Sequence, residues 1–564
     1  MTEKRLAGYY PALIAIASAL LFIPFIGRMH LFDWDEINFA ECAREMLVSG
    51  DYLNVQINFR PFWEKPPLFI WMQVLSMKAF GVNEFAARFP DAVCGILSLQ
   101  VLYAIGKRLY DAKFGLWWVL IYASSVLSHL YFRSGIIDPW FNFFIFLSVY
   151  FFILYSEPED RKTKNRNIPV MLSGVFAGLA ILTKGPVGVL LVGLVIAVFY
   201  VIGILKTLRA KTDVRDRMKR PKLGEILIFA IAVLLVGGSW FIVQWLSGNS
   251  AMVVKFIQYQ VRLFTIPDAG HGGHWSYHIW ILLLGMFPAS VLALKSFRVK
   301  VFENPGQRHF YKVMLILFWV VLVLFSVVKT KIVHYSSLCY YPLTFLAALT
   351  VRNLLEDKGR IQGFYRFLLI FIAALFALVT LAVPLADHYK QAIIDSGMIR
   401  DAFAVANLQA VVHWTGFEGL VGVLLLAGTI VSVILFRKKL KMGLPALFLT
   451  SLLFVWLTIL LYPYKIEQYT QRAAVDFFKS KADGKCYILN SGYFTYAPAF
   501  YAKRMPDDYR RPMWLLTGNI DRPFYLVLKE PHYKKWKHLV AHMKVVEQKN
   551  GWVILERLPE ETVK

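Results

Sequence analysis

The sequence predicts an α-helical polytopic membrane protein, with about thirteen transmembrane helices and a small C-terminal α/β domain outside the membrane. Composition is the first observation behind this prediction. The chain of 564 residues is 57% hydrophobic and only 18% charged, whereas soluble domains carry about a quarter charged residues. The second observation is that apolar runs of about twenty residues, the length that crosses a bilayer, recur along most of the chain.

Each of these runs is a candidate membrane span, and together they form a predicted transmembrane domain at residues 1–463. The first run lacks a small-residue cleavage site and is long enough to cross the bilayer, so we interpret it as a signal anchor. The candidate spans cover residues 9–27, 86–106, 114–132, 139–156, 168–183, 185–205, 224–246, 276–294, 311–328, 332–351, 366–385, 416–436 and 444–463.

The positive charge of the chain is concentrated in alternate loops. The net charge is +25, which could suggest a nucleic-acid partner, but short basic loops on one side of a membrane are the positive-inside signature. We therefore expect a cytoplasmic N-terminus and no nucleic-acid partner. An odd number of spans then places the C-terminus on the outer side. The basic segments are residues 4–5, 107–108, 161–166, 206–222, 295–312, 352–366 and 437–441.

The part of the chain after the last span has a different pattern. Residues 487–502, 524–530 and 551–558 are rich in β-branched and aromatic residues, and polar turns that contain proline separate them. This pattern predicts a soluble α/β domain at residues 464–564. The four cysteines show no regular spacing, so neither a disulfide framework nor a thiolate metal site is indicated.

Carboxylates are concentrated in the predicted outside loop at residues 28–85, directly after the first span. The segment DEINFAECAREML within this loop has helical periodicity, which predicts an amphipathic helix lying along the membrane surface. Asp35 stands near the start of this helix. It is either a helix cap or, because carboxylates cluster here, a functional acid.

Three further outside positions carry ionisable side chains. Glu64 and Lys65 stand before two prolines; Lys65 is suited to holding a phosphate, and Glu64 is either a metal ligand or the ion-pair partner of Lys65. Asp138 opens the fourth span in front of a proline, where it is either a helix cap or a functional acid at membrane depth. Lys184 joins two spans with almost no loop, and it either snorkels to the interface or contacts a phosphate.

Histidines and lysines mark the remaining outside loops. The segment GHGGHWSYH places His271 and His274 three residues apart, but the two glycines between them disfavour a helix. A metal site here would therefore use one of these histidines together with Glu64. The segment KTKIVHY, which contains Lys331, is a basic hairpin on the outer side and predicts an anion site.

Taken together, these segments resemble those of GT-C-fold glycosyltransferases, in particular the group of the aminoarabinose transferase (ArnT) and the protein O-mannosyltransferases. The resemblance covers most of the membrane region. It is carried by WDEINFAECAREML, RPFWEKPPL, the aspartate at position 138, LTKGP and KTKIVHYSSLCYYPL. The cluster HWSYH and the HYSS of the late hairpin depart from the ArnT-type pattern, so the sugar and acceptor pockets are expected to differ.

The resemblance implies a role for each of these residues. The implied catalytic acids are Asp35 and Asp138. The residues implied to bind the lipid phosphate are Lys65, Lys331, Arg133 and Tyr335. The implied ligands of a divalent metal, either zinc or magnesium/manganese, are Glu64 and His271, with His274 as the alternative. The acids left as solvated helix charges are Asp33, Glu41 and Glu45. No nucleotide cofactor is expected, because no glycine-rich phosphate loop is evident.

The implied activity is that of an inverting glycosyltransferase of the bacterial inner membrane. It would move a sugar from a polyprenyl phosphate donor, such as undecaprenyl phosphate, to lipid A or another envelope acceptor on the periplasmic face. The cations would stabilise charge on the leaving phosphate, while Asp35 would act on the acceptor from the opposite face of the sugar. A protein O-mannosyltransferase-like enzyme with a protein hydroxyl as acceptor is the alternative within this class.

Two other classes of function make different predictions from the same sequence. A lipid-linked sugar transporter would place ionisable groups inside the spans and show a two-fold internal repeat. Here the acids gather in outside loops, and no repeat is evident. A non-catalytic lipid-binding scaffold would tolerate Asp35→Asn, whereas a transferase would lose sugar transfer with its folding retained.

Overall fold

The protein is a multi-pass membrane protein built mainly from helices. Its structure, a computed structural model, describes residues 3–157, 165–209, 221–265, 272–298, 302–356 and 359–559. Within these ranges, nine helices are long and apolar enough to cross a membrane, or up to eleven if each of two bent helix pairs counts as one span. The predicted fold class, a helical polytopic membrane protein with a small C-terminal sheet region, is confirmed.

The helices up to the end of the membrane region follow the order of the predicted spans. Each predicted span falls on one helix or on two consecutive helices. The helices are α1 (Glu3–Phe22), α2 (Asp35–Ser49), α3 (Leu68–Phe80), α4 (Glu84–Leu109), α5 (Ala112–Ser124), α6 (Val126–Tyr131), α7 (Asp138–Ser156), α8 (Asn167–Lys184), α9 (Val187–Arg209), α10 (Leu223–Gly237), α11 (Ser239–Leu246), α12 (Ser250–Thr265), α13 (Tyr277–Gly285), α14 (Ala289–Ser296), α15 (Pro305–Val327), α16 (Tyr340–Leu355), α17 (Gly363–His388), α18 (Lys390–Asp395), α19 (Ala402–Leu408), α20 (Leu420–Lys438) and α21 (Leu440–Tyr469).

Two of the predicted spans are sharply bent. The axes of α10 and α11 differ by 55°, and those of α13 and α14 differ by 111°. The second bend falls at Pro288, which has no backbone N–H and cannot continue the hydrogen bonding of α13. Because α13 and α14 are each shorter than a full span, this pair is a broken span or a re-entrant loop.

The centre of the bundle is formed by α7 and α16, the most enclosed of the candidate spans. For each of these two spans, 83% of the apolar window is buried, against 28% for α9. Phe146 of α7 stacks on Tyr341 of α16 with ring centroids 4.2 Å apart. Trp118 of α5 donates a hydrogen bond to the Thr344 hydroxyl at 3.0 Å. These two contacts join α16 to α7 and to α5.

The loop between α1 and α4 is itself folded. It contains α2, the helix α3 that the sequence did not predict, and a small hairpin of β1 (Gln56–Ile57) and β2 (Arg60–Pro61). The prediction that α2 is amphipathic is wrong, because its side chains are buried on nearly all sides; its location at the membrane surface stays a prediction. They pack in one apolar cluster with Phe478 and Tyr501 of the C-terminal region.

The C-terminal region is a small α/β layer. Its four-stranded sheet has the order β3-β4-β6-β5, in which β3 and β4 are parallel and the other pairs are antiparallel. The elements are α22 (Arg472–Ser480), β3 (Tyr487–Ser491), α23 (Ala497–Tyr501), α24 (Pro512–Thr517), β4 (Phe524–Lys529), α25 (Glu530–Trp536), β5 (Lys544–Lys549) and β6 (Trp552–Arg557).

The three β-rich runs of the sequence contain β3, β4 and β6, but two features of this region differ from the prediction. The strand β5 was not predicted, because it is an edge strand whose side chains are mostly exposed and often charged. The predicted domain boundary between residues 463 and 464 falls inside α21, which continues without a break to Tyr469. The division into two domains stays a prediction.

Candidate active site

The first turn of α2 is fixed in place by a buried ion pair. Glu36 accepts hydrogen bonds from the Arg88 guanidinium of α4 at 2.9 and 2.7 Å, and from the backbone N–H of Phe32 and Gly135. Burial alone would raise the pKa of Glu36, but Arg88 and the two N–H groups outweigh it and hold that pKa below its ordinary value. The neighbouring residue Asp35 therefore has a fixed backbone position.

Asp35 is the first residue of α2, and its side chain is about one third exposed, at 35%. The residue before it makes no side-chain cap, so the start of this helix is held by Glu36 rather than by capping. Asp138 is the first residue of α7 and is almost fully buried, at 3%. Of the two predicted catalytic acids, Asp35 is the one that a substrate can reach.

Asp138 is paired with Lys184. The Lys184 ammonium, at the end of α8, donates a hydrogen bond to Asp138 Oδ1 at 2.6 Å. The same ammonium lies over the Tyr335 ring, 5.4 Å from its centroid. Lys184 was predicted to snorkel or to contact a phosphate; in the structure it is the ion-pair partner of Asp138, which balances a buried negative charge.

His334 lies between the two acids. Its Nε2 atom is 3.7 Å from Asp35 Oδ2 and 3.7 Å from Asp138 Oδ2. His334 belongs to a 3-10 helix (Val333–Cys339) that leads directly into α16. The close packing of α7 and α16 thus brings together an imidazole and two carboxylates that lie on three separate parts of the sequence.

Lys65 adds a second positive charge to this site, beside that of Lys184. Its ammonium lies 5.7 Å from the centroid of the Tyr259 ring of α12, and its charge acts on both Asp138 and His334. Two carboxylates thus face two ammonium groups around one histidine. This arrangement offers an accessible acid on one side and positive charge for an anionic group on the other.

Two of the predicted phosphate-binding residues make other contacts. The guanidinium of Arg133 donates to the carbonyl oxygens of Leu21 and Pro24, at the end of α1. The ammonium of Lys331 donates to the carbonyl oxygens of Phe325, Ser326 and Val328, at 2.9, 2.7 and 2.6 Å. An ammonium has three protons, so Lys331 uses all of them on the end of α15. The phosphate roles of Arg133 and Lys331 stay predictions that these contacts do not support.

Tyr335 is better placed for such a role. Its ring packs against Phe325 at 5.2 Å between centroids and against the ammonium of Lys184. Because it follows His334 directly and contacts Lys184, Tyr335 lies beside the two acids. Its role in phosphate binding stays a prediction.

The predicted metal site is only partly within the described residues. Glu64 accepts a hydrogen bond from the Tyr259 hydroxyl at 3.1 Å. His274 is exposed and its ring bonds to the Ser276 hydroxyl at 2.8 Å, while His271 lies outside the described residues. Among those that are described, no three histidine, cysteine or acidic side chains are arranged to hold a metal. The residues in view therefore do not fit a metal site, and the ligand set Glu64 and His271 stays a prediction.

The prediction that Glu41 and Glu45 are solvated charges is wrong. Both side chains are fully buried. Glu41 forms a bidentate ion pair with Arg44 at 2.6 and 2.7 Å, while Glu45 accepts a hydrogen bond from the backbone N–H of Phe59. Burial, together with the neighbouring Glu41 carboxylate, raises the pKa of Glu45 to about 9. Asp33, by contrast, is at the surface and accepts a hydrogen bond from Thr495.

Sequence reasoning missed His334 and the Glu36–Arg88 pair. His334 stood inside the quoted segment KTKIVHY, but the lysines of that segment drew the interpretation towards an anion site. A histidine next to a tyrosine at the outer end of a span was the signal available. The Glu36–Arg88 pair joins two helices through the fold, and nothing in the spacing of the two residues marks it.

Both the sequence and the fold of this chain have counterparts among known proteins. The family model described as dolichyl-phosphate-mannose-protein mannosyltransferase matches residues 64–236. A crystal structure of ArnT from Cupriavidus metallidurans bound to undecaprenyl phosphate superposes with a TM-score of 0.75 at 18% sequence identity. That superposition covers 97% of this chain and 98% of the ArnT chain, so the two proteins share one fold.

Relatives with assigned names show which proteins of this fold the chain resembles in sequence. An undecaprenyl phosphate-alpha-4-amino-4-deoxy-L-arabinose arabinosyl transferase of Pseudomonas aeruginosa (strain LESB58) is 28% identical over 357 residues, which is 62% of this chain and 62% of the relative. A protein of the same name from Edwardsiella ictaluri is 27% identical over 393 residues. The match thus spans less than two thirds of the first relative's length. In fold the chain is similar to ArnT, and in sequence it is similar to these arabinosyl transferases and, over residues 64–236, to the protein mannosyltransferase family.

Proposed function

We propose that this chain is an integral-membrane inverting glycosyltransferase that moves a sugar from a polyprenyl phosphate to an envelope acceptor such as lipid A. The observation that carries the proposal is that an accessible acid, Asp35, shares one site at the ends of the central spans with the positive charge of Lys65 and Lys184, through His334 and Asp138. An enzyme that transfers a sugar from a phosphate leaving group needs both parts. The names of the relatives support the same donor class.

In this reaction the acceptor oxygen attacks C1 of the sugar from the face opposite the phosphate. A new bond forms between C1 and that oxygen, and the bond from C1 to the phosphate oxygen breaks. The phosphate leaves with the electron pair, and Lys65 stabilises the charge that builds on it. If the acceptor is a hydroxyl, its proton passes to the Asp35 carboxylate; if it is a phosphate, Asp35 positions the acceptor.

Asp138 supports this chemistry without reaching the substrate. It is buried and paired with Lys184, so it holds that ammonium beside Tyr335 at the edge of the site. The proposal places the site on the periplasmic face of the bacterial inner membrane, with the N-terminus in the cytoplasm and the C-terminal sheet in the periplasm. The alternation of basic loops supports this orientation.

A second acceptor class is favoured by one observation. The family model that matches residues 64–236 is named for a protein mannosyltransferase. A protein hydroxyl is therefore the alternative acceptor, and it needs Asp35 as a true general base.

The test compares cells with and without this protein by mass spectrometry of lipid A, of glycoproteins and of other envelope glycans. We expect one glycan to lose a single sugar when the protein is absent, and the sugar to return with the wild-type protein but not with Asp35→Asn. A change in lipid A supports the first acceptor, and a change in glycoproteins supports the second. If no envelope glycan changes, the proposed function is wrong.

A further inference from the structure

We propose that His334 is a positioning residue of the proposed reaction, which joins Asp35 to Asp138 and holds Asp35 where it meets the acceptor. The inference rests on the proposed function. The His334 imidazole lies between the two acids, and its Nε2 atom is 3.7 Å from a carboxylate oxygen of each. Both distances exceed a hydrogen bond, so a small rotation of one side chain selects which acid His334 binds.

The second carboxylate oxygen of Asp138 lies next to His334. Lys184 donates to Asp138 Oδ1, but Asp138 Oδ2 is buried and has no hydrogen-bond partner among the residues that the structure describes. An unsatisfied buried carboxylate oxygen costs free energy. The Nε2 atom of His334 lies 3.7 Å from this oxygen and 3.7 Å from Asp35 Oδ2, so the imidazole stands between a buried acid and a partly exposed one.

The turn that carries His334 is held by its own hydrogen bonds. The Ser337 hydroxyl donates to the His334 carbonyl, and Asn142 of α7 donates to the Ser337 hydroxyl at 2.6 Å. On the other side, Ser336 bonds to His278 of α13 at 3.1 Å. With the backbone of His334 fixed to α7 and α13, the imidazole stays between the acids.

The charges around His334 determine how its protonation acts. The ionisable groups that interact with it are Asp35 from α2, Asp138 from α7, Lys184 from α8, Lys65 from the loop before α3, His278 from α13 and the adjacent Tyr335. Farther from the imidazole, Lys331 acts on His278, and the two acids act on Tyr131. The two carboxylates and the two nearest lysines balance one another. The site therefore carries no net charge when His334 is neutral, and gains one positive charge when it is protonated.

The two forms of His334 have opposite effects on Asp35. The neutral imidazole donates one hydrogen bond and orients the Asp35 carboxylate. The imidazolium attracts that carboxylate strongly and makes it a weaker base towards the acceptor. We therefore expect sugar transfer to fall as the pH drops and His334 becomes protonated.

The experiment uses two substitutions of His334 in the full-length protein, purified in nanodiscs. His334→Gln keeps an N–H donor at the position of Nε2 but does not titrate, whereas His334→Ala removes the donor. The matched control is His413→Gln, at an exposed histidine outside the site. The probes are undecaprenyl phosphate-α-4-amino-4-deoxy-L-arabinose and lipid A, and the readouts are kcat, KM and thermal unfolding between pH 5 and 9.

We expect His334→Ala to lower kcat by about ten-fold or more, with a smaller change in the KM of the donor. His334→Gln should recover most of kcat and lose the decline at acid pH, while the control keeps the wild-type profile. Full activity in His334→Ala, or an unchanged acid decline in His334→Gln, would overturn the inference while the proposed function stands. No transfer by the wild-type protein from this donor to lipid A would overturn the inference for this pair of substrates, whereas the proposed function is decided separately, by the comparison of envelope glycans in cells with and without the protein.

Discussion

Burial divides the carboxylates of the first loop into two kinds. Glu36, Glu41 and Glu45 are enclosed and hold the loop together, whereas Asp35 is partly exposed beside His334. The composition of the loop indicated that these acids needed an explanation. It did not show which of them faces the site, because that depends on the C-terminal region packing over α2.

The Glu45 carboxyl gives a test of this division through the pH dependence of stability. Its pKa is about 9 in the folded protein against an ordinary value of 4.5. The folded protein therefore binds the proton more tightly, so the stabilisation is full below pH 4.5 and is lost as the pH rises towards 9. We expect Glu45→Gln, which stays neutral, to unfold at a higher temperature than wild type at pH 8 and at nearly the same temperature at pH 5.

The slope expected from this single group is at most about 1.4 kcal/mol per pH unit between the two pKa values. Thermal unfolding of the purified protein across this pH range measures it. Glu41→Gln is the matched control: it breaks the ion pair with Arg44 and should lower the unfolding temperature at pH 8. Equal pH dependence in Glu45→Gln and wild type would contradict a protonated Glu45.

Among the secondary-structure elements, the contact between α2 and α4 positions the site. Arg88 is fully buried, and it donates to Glu36 and to the carbonyl oxygens of Ile26, Met29 and His30. One guanidinium thus joins α4, the end of the first span and the start of α2. Asp35 directly precedes Glu36 in the chain, so its position depends on the Glu36–Arg88 ion pair, which lies outside the reacting groups.

Replacement of Arg88 should disturb both folding and position. We expect Arg88→Met to destabilise the protein by about 3–5 kcal/mol, because it leaves Glu36 buried without its partner. The control is Lys534→Met at the exposed ion pair with Glu530, where we expect a change of at most about 1 kcal/mol. Chemical unfolding in detergent measures both, and similar values for the two variants would contradict the role given to Arg88.

At the same scale, the sequence was informative about helices and less so about contacts between them. Each apolar run falls on one helix or on two consecutive helices of the structure. Hydropathy over about twenty residues is a local property of the sequence, so it can be read without knowledge of the fold. The helix α3 and the edge strand β5 were missed, since the first is a short apolar helix within a loop and the second carries exposed charges. His334 and the Glu36–Arg88 pair could not be placed, because their partners come from distant parts of the chain.

The whole molecule has two different sides. The two acids, His334 and the C-terminal sheet lie towards one end of the spans, and the basic residues Lys107 and Arg108, which end α4, lie at the other. All four cysteines are buried, so an added surface cysteine reports on its own side of the membrane.

Cysteine labelling in intact cells tests this orientation. We expect Asp507→Cys, in the C-terminal region, to react with a membrane-impermeant maleimide that passes the outer membrane. Lys206→Cys, at the end of α9, should react only after the inner membrane is opened; both positions are exposed. The reverse pattern would place the proposed active site on the cytoplasmic side, where a periplasmic acceptor could not reach it.

The most direct measurement for the central claim is sugar transfer by purified Asp35→Asn. The substitution removes the accessible carboxylate and leaves the Glu36–Arg88 and Asp138–Lys184 pairs intact. We expect transfer from the undecaprenyl phosphate donor to fall by at least about 100-fold in this variant, while its unfolding temperature stays within a few degrees of wild type. Transfer at the wild-type rate by this variant would contradict the assignment of Asp35 as the acid that acts on the acceptor.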